Sequence, residues 1–387
     1  MTRWLGLVIG ITVLWFAVWI YLPAPTYFFL TFSVGAPEIS AWLILASIVG
    51  LGLSLVEAGH STVARVGAAA AGVAFLLSLG VWARVKGTIK LADDEMREMI
   101  EQPIAPLREK PIVVRDLFRH IDLGDARVTR NVPFAAPGGV QLRADIYRPA
   151  REGTYPIVVQ VYGGAWQRGA PSDFSNFATW LSSSGYVVIA IDYRHAPAWR
   201  WPTQIEDVGT ALRWVGAHGA DYGGDPSRIV LIGRSAGAHL ATMAAWTIGP
   251  VRVRGVISYY GPVDLVESYK NPPAPDPLNV RSVEESLIGK PLDAAPRQYA
   301  DASTITHVRK GTGALPPTLL IYGGRDHIVE AKYGKTIVNA LRARGTQVGY
   351  IEIPWADHAF DEVFNGPSSQ IALYYTERFI AWAVHAP

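Results

Sequence analysis

Three long stretches without a charged side chain lie at the start of this 387-residue chain. They run from Trp4 to Leu22, from Ile39 to Val56 and from Val66 to Ala83. Each is about long enough to cross the ~30 Å hydrocarbon core of a bilayer as a helix, which satisfies every backbone hydrogen bond within its own segment. We therefore expect residues 1–86 to form a bundle of two or three transmembrane helices, in which small residues from Ala68 to Gly72 permit close contact. Two alternatives stay open: buried helices of a soluble domain, and a cleaved signal peptide covering the first stretch.

The basic residues beside these stretches indicate an orientation. Arg3 and Arg65 would lie on one side of a three-helix bundle, and Arg84, Lys86 and Lys90 on the other. Because positively charged flanks favour the cytoplasmic side, the count predicts that everything after the third stretch is cytoplasmic. The margin is one residue, so loss of one span or cleavage of the first would change the result.

The remaining chain divides into a connector and one large domain. Residues 87–126 are more polar and suggest a short helix from Asp93 to Ile100, broken by Pro103, Pro106 and Pro111. Residues 127–387 are long enough for a single α/β core.

Strand patterns alternate with helix-length segments throughout this domain, which predicts an α/β fold with a mostly parallel central sheet. The first two strands read as a hairpin around residues 137–139. The predicted strands are Val128–Ala135, Val140–Tyr147, Ile157–Tyr162, Val187–Asp192, Ile229–Ile232, Val253–Tyr259, Thr318–Tyr322 and Val348–Ile353. Residues 261–316 form a long insertion that is either a lid over a substrate pocket or a surface loop.

A Gly-x-Ser-x-Gly sequence surrounds Ser235, between the strand pattern that ends at Ile232 and a helix-like stretch. A serine at such a turn has its hydroxyl pushed away from the backbone, and Gly233 and Gly237 leave room for the bend. The motif also arises by chance in glycine-rich loops. The strand, turn and helix context favours Ser235 as a catalytic nucleophile.

An acid and a histidine follow the serine in the order that an α/β-hydrolase nucleophile requires. Asp326 comes directly after the predicted strand Thr318–Tyr322, and His358 lies in a loop after the last one. A serine hydroxyl is a weak nucleophile until a base takes its proton, and that base must be held in one tautomer. We assign His358 as the base and Asp326 as its orienting acid. Nearby competitors for the Asp326 position are His327, Glu330 and Asp357, and His239 is expected to point into helix packing.

Two consecutive glycines end the strand that precedes the nucleophile. An acyl-transfer transition state places negative charge on the former carbonyl oxygen, which preorganised backbone amides stabilise by several kcal/mol. Gly163, Gly164 and Ala236 are the predicted donors of this oxyanion hole. The alternative is that Gly163 and Gly164 form only a strand-end turn.

With these motifs together, the chain from about Val128 onward resembles the hormone-sensitive-lipase-like carboxylesterases of the α/β-hydrolase superfamily. The stretches Ile189–Pro197 and Tyr222–Ile229 add to the resemblance. That family opens its oxyanion loop with a histidine, whereas this chain has Tyr162. The sequence Tyr-Gly-Gly-Ala-Trp at this point resembles prenylcysteine methylesterases, and kynurenine formamidases have related loops. The resemblance implies an α/β-hydrolase fold and hydrolysis of an ester or amide.

Composition narrows the function further. A net charge of +2 without a dense basic run argues against a nucleic-acid partner. The chain has no cysteine, so disulfides and thiolate ligands are excluded, and its scattered histidines suggest neither a metal nor a cofactor. We expect a membrane-anchored serine carboxylesterase or lipase-like hydrolase that acts on a small-molecule or lipid ester through an acyl-enzyme. An acyltransferase with the same three residues, and a non-catalytic receptor or scaffold, are the alternatives.

Overall fold

The computed structural model describes residues 1–100, 108–248 and 251–385. Its centre is an eight-stranded sheet. The strands are β1 (Ala126–Ala135), β2 (Leu142–Pro149), β3 (Tyr155–Val161), β4 (Val187–Ile191), β5 (Gly224–Arg234), β6 (Val253–Tyr259), β7 (Thr318–Gly323) and β8 (Val348–Ile353). Their order in the sheet is β1-β2-β4-β3-β5-β6-β7-β8. Strands β1 and β2 are antiparallel to their neighbours and the other pairs are parallel, so the predicted α/β fold with a mostly parallel sheet is confirmed.

Both faces of the sheet are covered, as continuous apolar strands require. Along β3, Ile157 and Val159 belong to one buried cluster and Val158 to the other. Helices α7 and α8 pack in the first cluster, and α6 and α14 in the second. The helices after the first strand are α6 (Ser175–Ser183), α7 (Thr203–His218), α8 (Ala236–Thr247), α9 (Leu265–Lys270), α10 (Val280–Ile288), α11 (Pro296–Ala302), α12 (Thr304–Lys310), α13 (Ala331–Ala343) and α14 (Pro367–Ala383).

Five helices precede the sheet. They are α1 (Thr2–Val18), α2 (Tyr27–Glu38), α3 (Ser40–Leu55), α4 (Thr62–Met99) and α5 (Val114–Phe118). Among the described residues, α4 is the one helix long and apolar enough to cross a membrane. Helices α2 and α3, bent by 81° at their junction, qualify together as a second candidate, and α1 is a shorter apolar helix of 17 residues. The three predicted stretches thus become helices, but α2, between the first two, is absent from the sequence prediction.

Helices α1, α3 and α4 pack closely at glycine positions. A Cβ on Gly10 would lie 2.5 Å from the carbonyl oxygen of Gly67, and one on Gly6 would meet Ser54. Gly72, expected to serve such contacts, has open space around it. Small residues therefore do allow these helices to approach closely. Which small residues serve depends on the helix faces that meet.

Helix α4 joins the apolar region to the sheet without a break. It passes through Gly87, where the sequence predicts a change from membrane region to connector, because no proline interrupts the helix there. Of the predicted helix breakers, Pro103 and Pro106 lie outside the described residues. The end of α4 covers the edge strand β8: Glu95 accepts hydrogen bonds from the Tyr350 amide at 3.2 Å and from Arg342 at 2.9 Å. Covering an edge strand protects its unpaired backbone groups.

Candidate active site

Ser235 occupies the sharp turn between β5 and α8. Its φ of 52° and ψ of −123° are unusual for a residue with a side chain, and its amide donates to the Tyr259 carbonyl at 2.9 Å. The two motif glycines are required by space. A Cβ on Gly233 would lie 2.2 Å from the Gly237 carbonyl oxygen, and one on Gly237 would lie 2.2 Å from that of Tyr162.

His358 and Asp326 meet Ser235 at the carboxyl edge of the sheet, where β5, β7 and β8 end. The His358 Nε2 lies 2.9 Å from the Ser235 Oγ, and its Nδ1 lies 2.8 Å from the Asp326 Oδ2. The other Asp326 oxygen accepts the amides of Ile328 and Val329 at 2.8 and 2.7 Å. A carboxylate at Nδ1 keeps the proton on that nitrogen and leaves Nε2 free to accept the serine proton.

Burial also affects the carboxyl group. Asp326 is 5% exposed, and this desolvation raises its pKa above the ordinary value, while the adjoining His358 opposes the rise. The buried Asp326 carboxylate therefore depends on the His358 imidazole and on the two backbone amides to stay ionised.

The competing residues have other partners. The Asp357 carboxylate lies 2.6 Å from the His327 Nδ1 and accepts the backbone amide of His358 at 2.7 Å. Glu330 pairs with Lys332 at 2.5 Å. The sequence after β7 and β8 offers several carboxylates that could orient His358. In the structure, Asp326 is the one that contacts its imidazole.

His239 is a structural histidine, as expected. It is fully buried, its Nδ1 accepts from the Trp166 indole at 3.2 Å and its Nε2 donates to the Ala302 carbonyl at 2.6 Å. Burial lowers its pKa to about 4, so it remains neutral.

The residues predicted for the oxyanion hole line cavities that Ser235 also lines. A Cβ on Gly163 would lie 3.2 Å from the Ser235 Cβ, and one on Gly164, whose φ is 117°, would lie 2.1 Å from the Arg168 carbonyl oxygen. Ala236 is the first residue of α8, and amides in the first turn of a helix have no partner within it. Gly163 and Gly164 line the same cavity as Ser235, and Ala236 follows it directly in the chain.

Tyr162 is held in a network that sequence reasoning did not find. Its hydroxyl donates to the Asp192 carboxylate at 2.5 Å and lies 2.8 Å from the His195 Nε2. Its ring stacks on Tyr193 with centroids 4.6 Å apart. The chain leading into Gly163 and Gly164 is therefore fixed by a buried polar anchor.

A second missed feature is a buried ion pair beside the nucleophile. Arg234 is 2% exposed, and its Nε donates to Asp361 at 2.5 Å. Tyr260 donates to the same carboxylate, and the guanidinium lies 4.2 Å from the ring centroid of Phe174. Arg234 stands at the free position before the serine in the motif, so its identity carried no signal.

Two cavities meet at Ser235. The larger cavity, of about 660 Å³, is lined by Ser235, His358, Gly163 and Gly164 and by residues of α2. The smaller cavity, of about 40 Å³, is lined by Ser235, Trp166 and Ala236 and by residues of the insertion. The insertion predicted over 261–316 consists of the packed helices α9 to α12, and α10 supplies part of the wall of the smaller cavity.

No group of three or more histidine and acidic side chains that could hold a metal ion occurs within residues 1–100, 108–248 and 251–385.

Known proteins with similar sequences include ester hydrolases. The BD-FAE family model matches residues 144–341, just over half of the chain. The probable carboxylic ester hydrolase LipM of Mycobacterium tuberculosis is 33% identical over 59% of this chain and 54% of its own length. The probable isoprenylcysteine alpha-carbonyl methylesterase ICMEL2 of Arabidopsis thaliana is 27% identical over 56% of this chain and 54% of its own. The chain thus spans about half the length of the curated relatives it matches.

A solved structure supports the fold. An esterase from Pyrobaculum calidifontis aligns with 78% of this chain and 92% of its own at 24% identity, with a TM-score of 0.58. The predicted α/β-hydrolase fold is thereby confirmed.

Proposed function

Because this chain belongs to the BD-FAE family and has the α/β-hydrolase fold, we propose that it is a serine carboxylesterase that is anchored in a membrane. The single observation that carries the catalytic proposal is the chain of contacts from Asp326 through His358 to Ser235. The similarity to LipM, a probable carboxylic ester hydrolase, and to ICMEL2, a probable methylesterase, supports the same reaction class.

The reaction begins when the Ser235 Oγ attacks the ester carbonyl and His358 Nε2 takes its proton. The imidazolium that forms is stabilised by Asp326 at Nδ1. His358 then gives its proton to the departing alcohol oxygen, which leaves an acyl group on Ser235. A water molecule, deprotonated by the same nitrogen, attacks this acyl-enzyme. When the resulting tetrahedral intermediate collapses, His358 returns the proton to the Ser235 Oγ and the acid is released.

The amides of Gly163, Gly164 and Ala236 are proposed to stabilise the negative oxygen of each tetrahedral intermediate. Loss of a single such donor typically costs about 3 to 4 kcal/mol of transition-state stabilisation. The close approach of Gly163 to Ser235 supports this role. No cofactor is part of this mechanism.

Membrane anchoring is proposed from the apolar helices α1, α3 and α4. Thr2 and Arg3 contact Glu57, and Tyr21 donates to the Leu77 carbonyl at 3.1 Å. The start of α1 and the end of α3 therefore lie together, at the end of the helices opposite Tyr21. Three spans in this arrangement place the N-terminus opposite the catalytic domain, and the basic residues Arg84, Lys86 and Lys90 favour a cytoplasmic catalytic domain.

The catalytic proposal is tested by incubating the detergent-purified protein with a fluorescent fluorophosphonate and mapping the labelled peptide by mass spectrometry. Adduct on Ser235, together with hydrolysis of ethyl acetate that the S235A variant lacks, is the expected result. A folded protein with no adduct and no hydrolysis would refute the esterase and favour a receptor or scaffold.

The orientation is tested with single cysteines, since the natural chain contains none. Ser61→Cys lies between α3 and α4, and Glu152→Cys lies on an exposed surface of the catalytic domain. An impermeant thiol reagent applied to intact cells should label the first and spare the second until lysis. Labelling of the second in intact cells would place the catalytic domain outside.

A further inference from the structure

The two cavities at Ser235 differ in their relation to the catalytic histidine. His358 lines the larger cavity, whereas the lining of the smaller cavity does not include it. Given the proposed esterase reaction, on which this inference rests, His358 must reach the departing alcohol oxygen to protonate it. The alcohol portion of the ester therefore belongs in the larger cavity and the acyl portion in the smaller one.

The two cavity volumes indicate that the alcohol portion of the ester is larger than the acyl portion. The larger cavity measures about 660 Å³, within the range of pockets that bury a whole small molecule. The smaller one, about 40 Å³, has room for a short acyl group. Its lining is mainly apolar and includes Val263, Leu278 and Val283.

One wall of the larger cavity comes from the apolar N-terminal region. Five residues of α2 line it: Tyr27, Leu30, Thr31, Val34 and Gly35. Their spacing of three, four, seven and eight positions puts them on one face of the helix. This face has no charged residue; the charged side chains that line the same cavity belong to the catalytic domain.

Helix α2 is fixed to the catalytic domain next to the active site. Ser33 donates to Asp357, whose carboxylate also accepts the amide of His358. Glu38 accepts the amide of Ser368 at 3.0 Å. At the other end of α2, Arg168 donates to the Tyr27 hydroxyl at 2.5 Å. These hydrogen bonds make the α2 wall a fixed part of the site.

The same helix is continuous with apolar surface. Its 81° bend against α3 turns α2 across the end of the apolar helices. Phe29 stacks on Trp19 with centroids 4.8 Å apart. Large apolar side chains on α1, α3 and α4 are exposed, among them Trp4, Val8, Ile48 and Leu76. If α1, α3 and α4 span the bilayer, α2 lies along its surface with one face toward Ser235.

We propose that α2 is a specificity-determining wall, and that the substrate is an ester of a short acyl group with a bulky, mainly apolar alcohol that enters the larger cavity from the lipid phase. The N-terminal region then has two roles, since it holds the enzyme at the bilayer and completes its alcohol-binding site.

The test uses Gly35, because a Cβ there meets nothing within 4 Å although the residue lines the cavity. Gly35→Trp fills that space. Gly52→Trp is the matched control: Gly52 lies on α3, is exposed and likewise has nothing within 4 Å. The full chain is reconstituted in phosphatidylcholine vesicles, and acid release is titrated with ethyl acetate, hexadecyl acetate and ethyl palmitate.

The parent should hydrolyse hexadecyl acetate with a higher kcat/KM than ethyl palmitate. Gly35→Trp should lower the ratio of kcat/KM for hexadecyl acetate to that for ethyl acetate by about tenfold or more, with Gly35→Leu intermediate and Gly52→Trp unchanged. An unchanged ratio in Gly35→Trp, or a parent that prefers ethyl palmitate, would overturn the inference.

Fluorophosphonate labelling of Ser235 in each variant separates the two proposals. A variant that is labelled at the parental rate has a folded, intact catalytic centre, so its substrate ratio reports on α2. If the parent is neither labelled nor active on ethyl acetate, the proposed esterase itself has failed.

Discussion

Asp326→Asn should abolish most of the activity without unfolding the protein. The Asp326 Oδ1 accepts two backbone amides, from Ile328 and Val329, so an asparagine at this position must place its carbonyl oxygen there. Its NH₂ group then faces His358 Nδ1, at the position where the carboxylate oxygen lies 2.8 Å away. A donor at that place forces Nδ1 to accept and moves the imidazole proton to Nε2, which can no longer take the proton of Ser235.

The size of the expected loss in kcat follows from this change of tautomer. Replacing the acid in a Ser-His-Asp triad by its amide lowers kcat by about 10⁴, which corresponds to about 5.5 kcal/mol of transition-state stabilisation. We expect kcat for ethyl acetate to fall by about 10³ to 10⁴ and fluorophosphonate labelling of Ser235 to slow similarly.

Glu330→Gln is the matched control. Glu330 lies in the same loop and pairs with Lys332, away from the imidazole, so the variant removes one charge without changing the tautomer. Thermal denaturation monitored by near-ultraviolet circular dichroism checks that both variants fold. A folded Asp326→Asn enzyme within about tenfold of the parental kcat would refute the assignment of Asp326, because no remaining group would explain the activity.

Three further variants test the buried polar groups around the site. Asp361→Asn leaves the Arg234 cation buried and unpaired, so the free energy of unfolding should fall by about 3 to 5 kcal/mol; an unchanged denaturation midpoint would contradict this. Burial raises the pKa of Glu284 to about 8, so between about pH 5 and 8 the native state holds a proton that the unfolded chain releases. The free energy of unfolding therefore falls as the pH rises above about 5, by about 4 kcal/mol between pH 5 and pH 9. Glu284→Gln removes this dependence and should denature at a higher temperature than the parent at pH 9 but near it at pH 5, whereas equal midpoints at both pH values would exclude the effect. Tyr162→Phe removes the hydroxyl that anchors the chain leading into Gly163 and Gly164, the proposed oxyanion-hole residues. It should cost about 1 to 3 kcal/mol of stability and lower kcat more than it changes KM; parental kcat and stability would argue against the anchor.

The sheet was predictable because its signals are local. The last six predicted strands are short apolar runs, the first two are more polar, and all eight appear at the expected places. Their ends differ by one or two residues at most, except that β5 begins five residues earlier, at Gly224. Ser235, Asp326 and His358 each follow a predicted strand, and since the carboxyl ends of parallel strands share one edge, their meeting could be expected from the order alone.

The missed features depend on contacts between distant parts of the chain. Arg234 and Asp361 are separated by 127 positions, and Ser33 and Asp357 by 324, so no periodicity or motif links them. Helix α2 was missed for a different reason. It has only 12 residues, and so short a helix is marginal in isolation; it is held by contacts with the catalytic domain.

The continuous helix α4 and the docking of α2 bear on how such an enzyme can meet a substrate in a bilayer. A flexible tether would leave the orientation of the active site free, and the substrate would have to leave the lipid to reach it. Here α4 runs unbroken from Thr62 to Met99, about 57 Å at 1.5 Å per residue, and its end is bound to β8. That length exceeds the ~30 Å hydrocarbon core, so one helix can cross the membrane and still hold the sheet. With α2 bound beside His358 through Ser33 and Asp357, the larger cavity keeps a fixed position at the apolar helices. Under the proposed anchoring, a bulky alcohol would remain largely in apolar surroundings while its ester bond reaches Ser235.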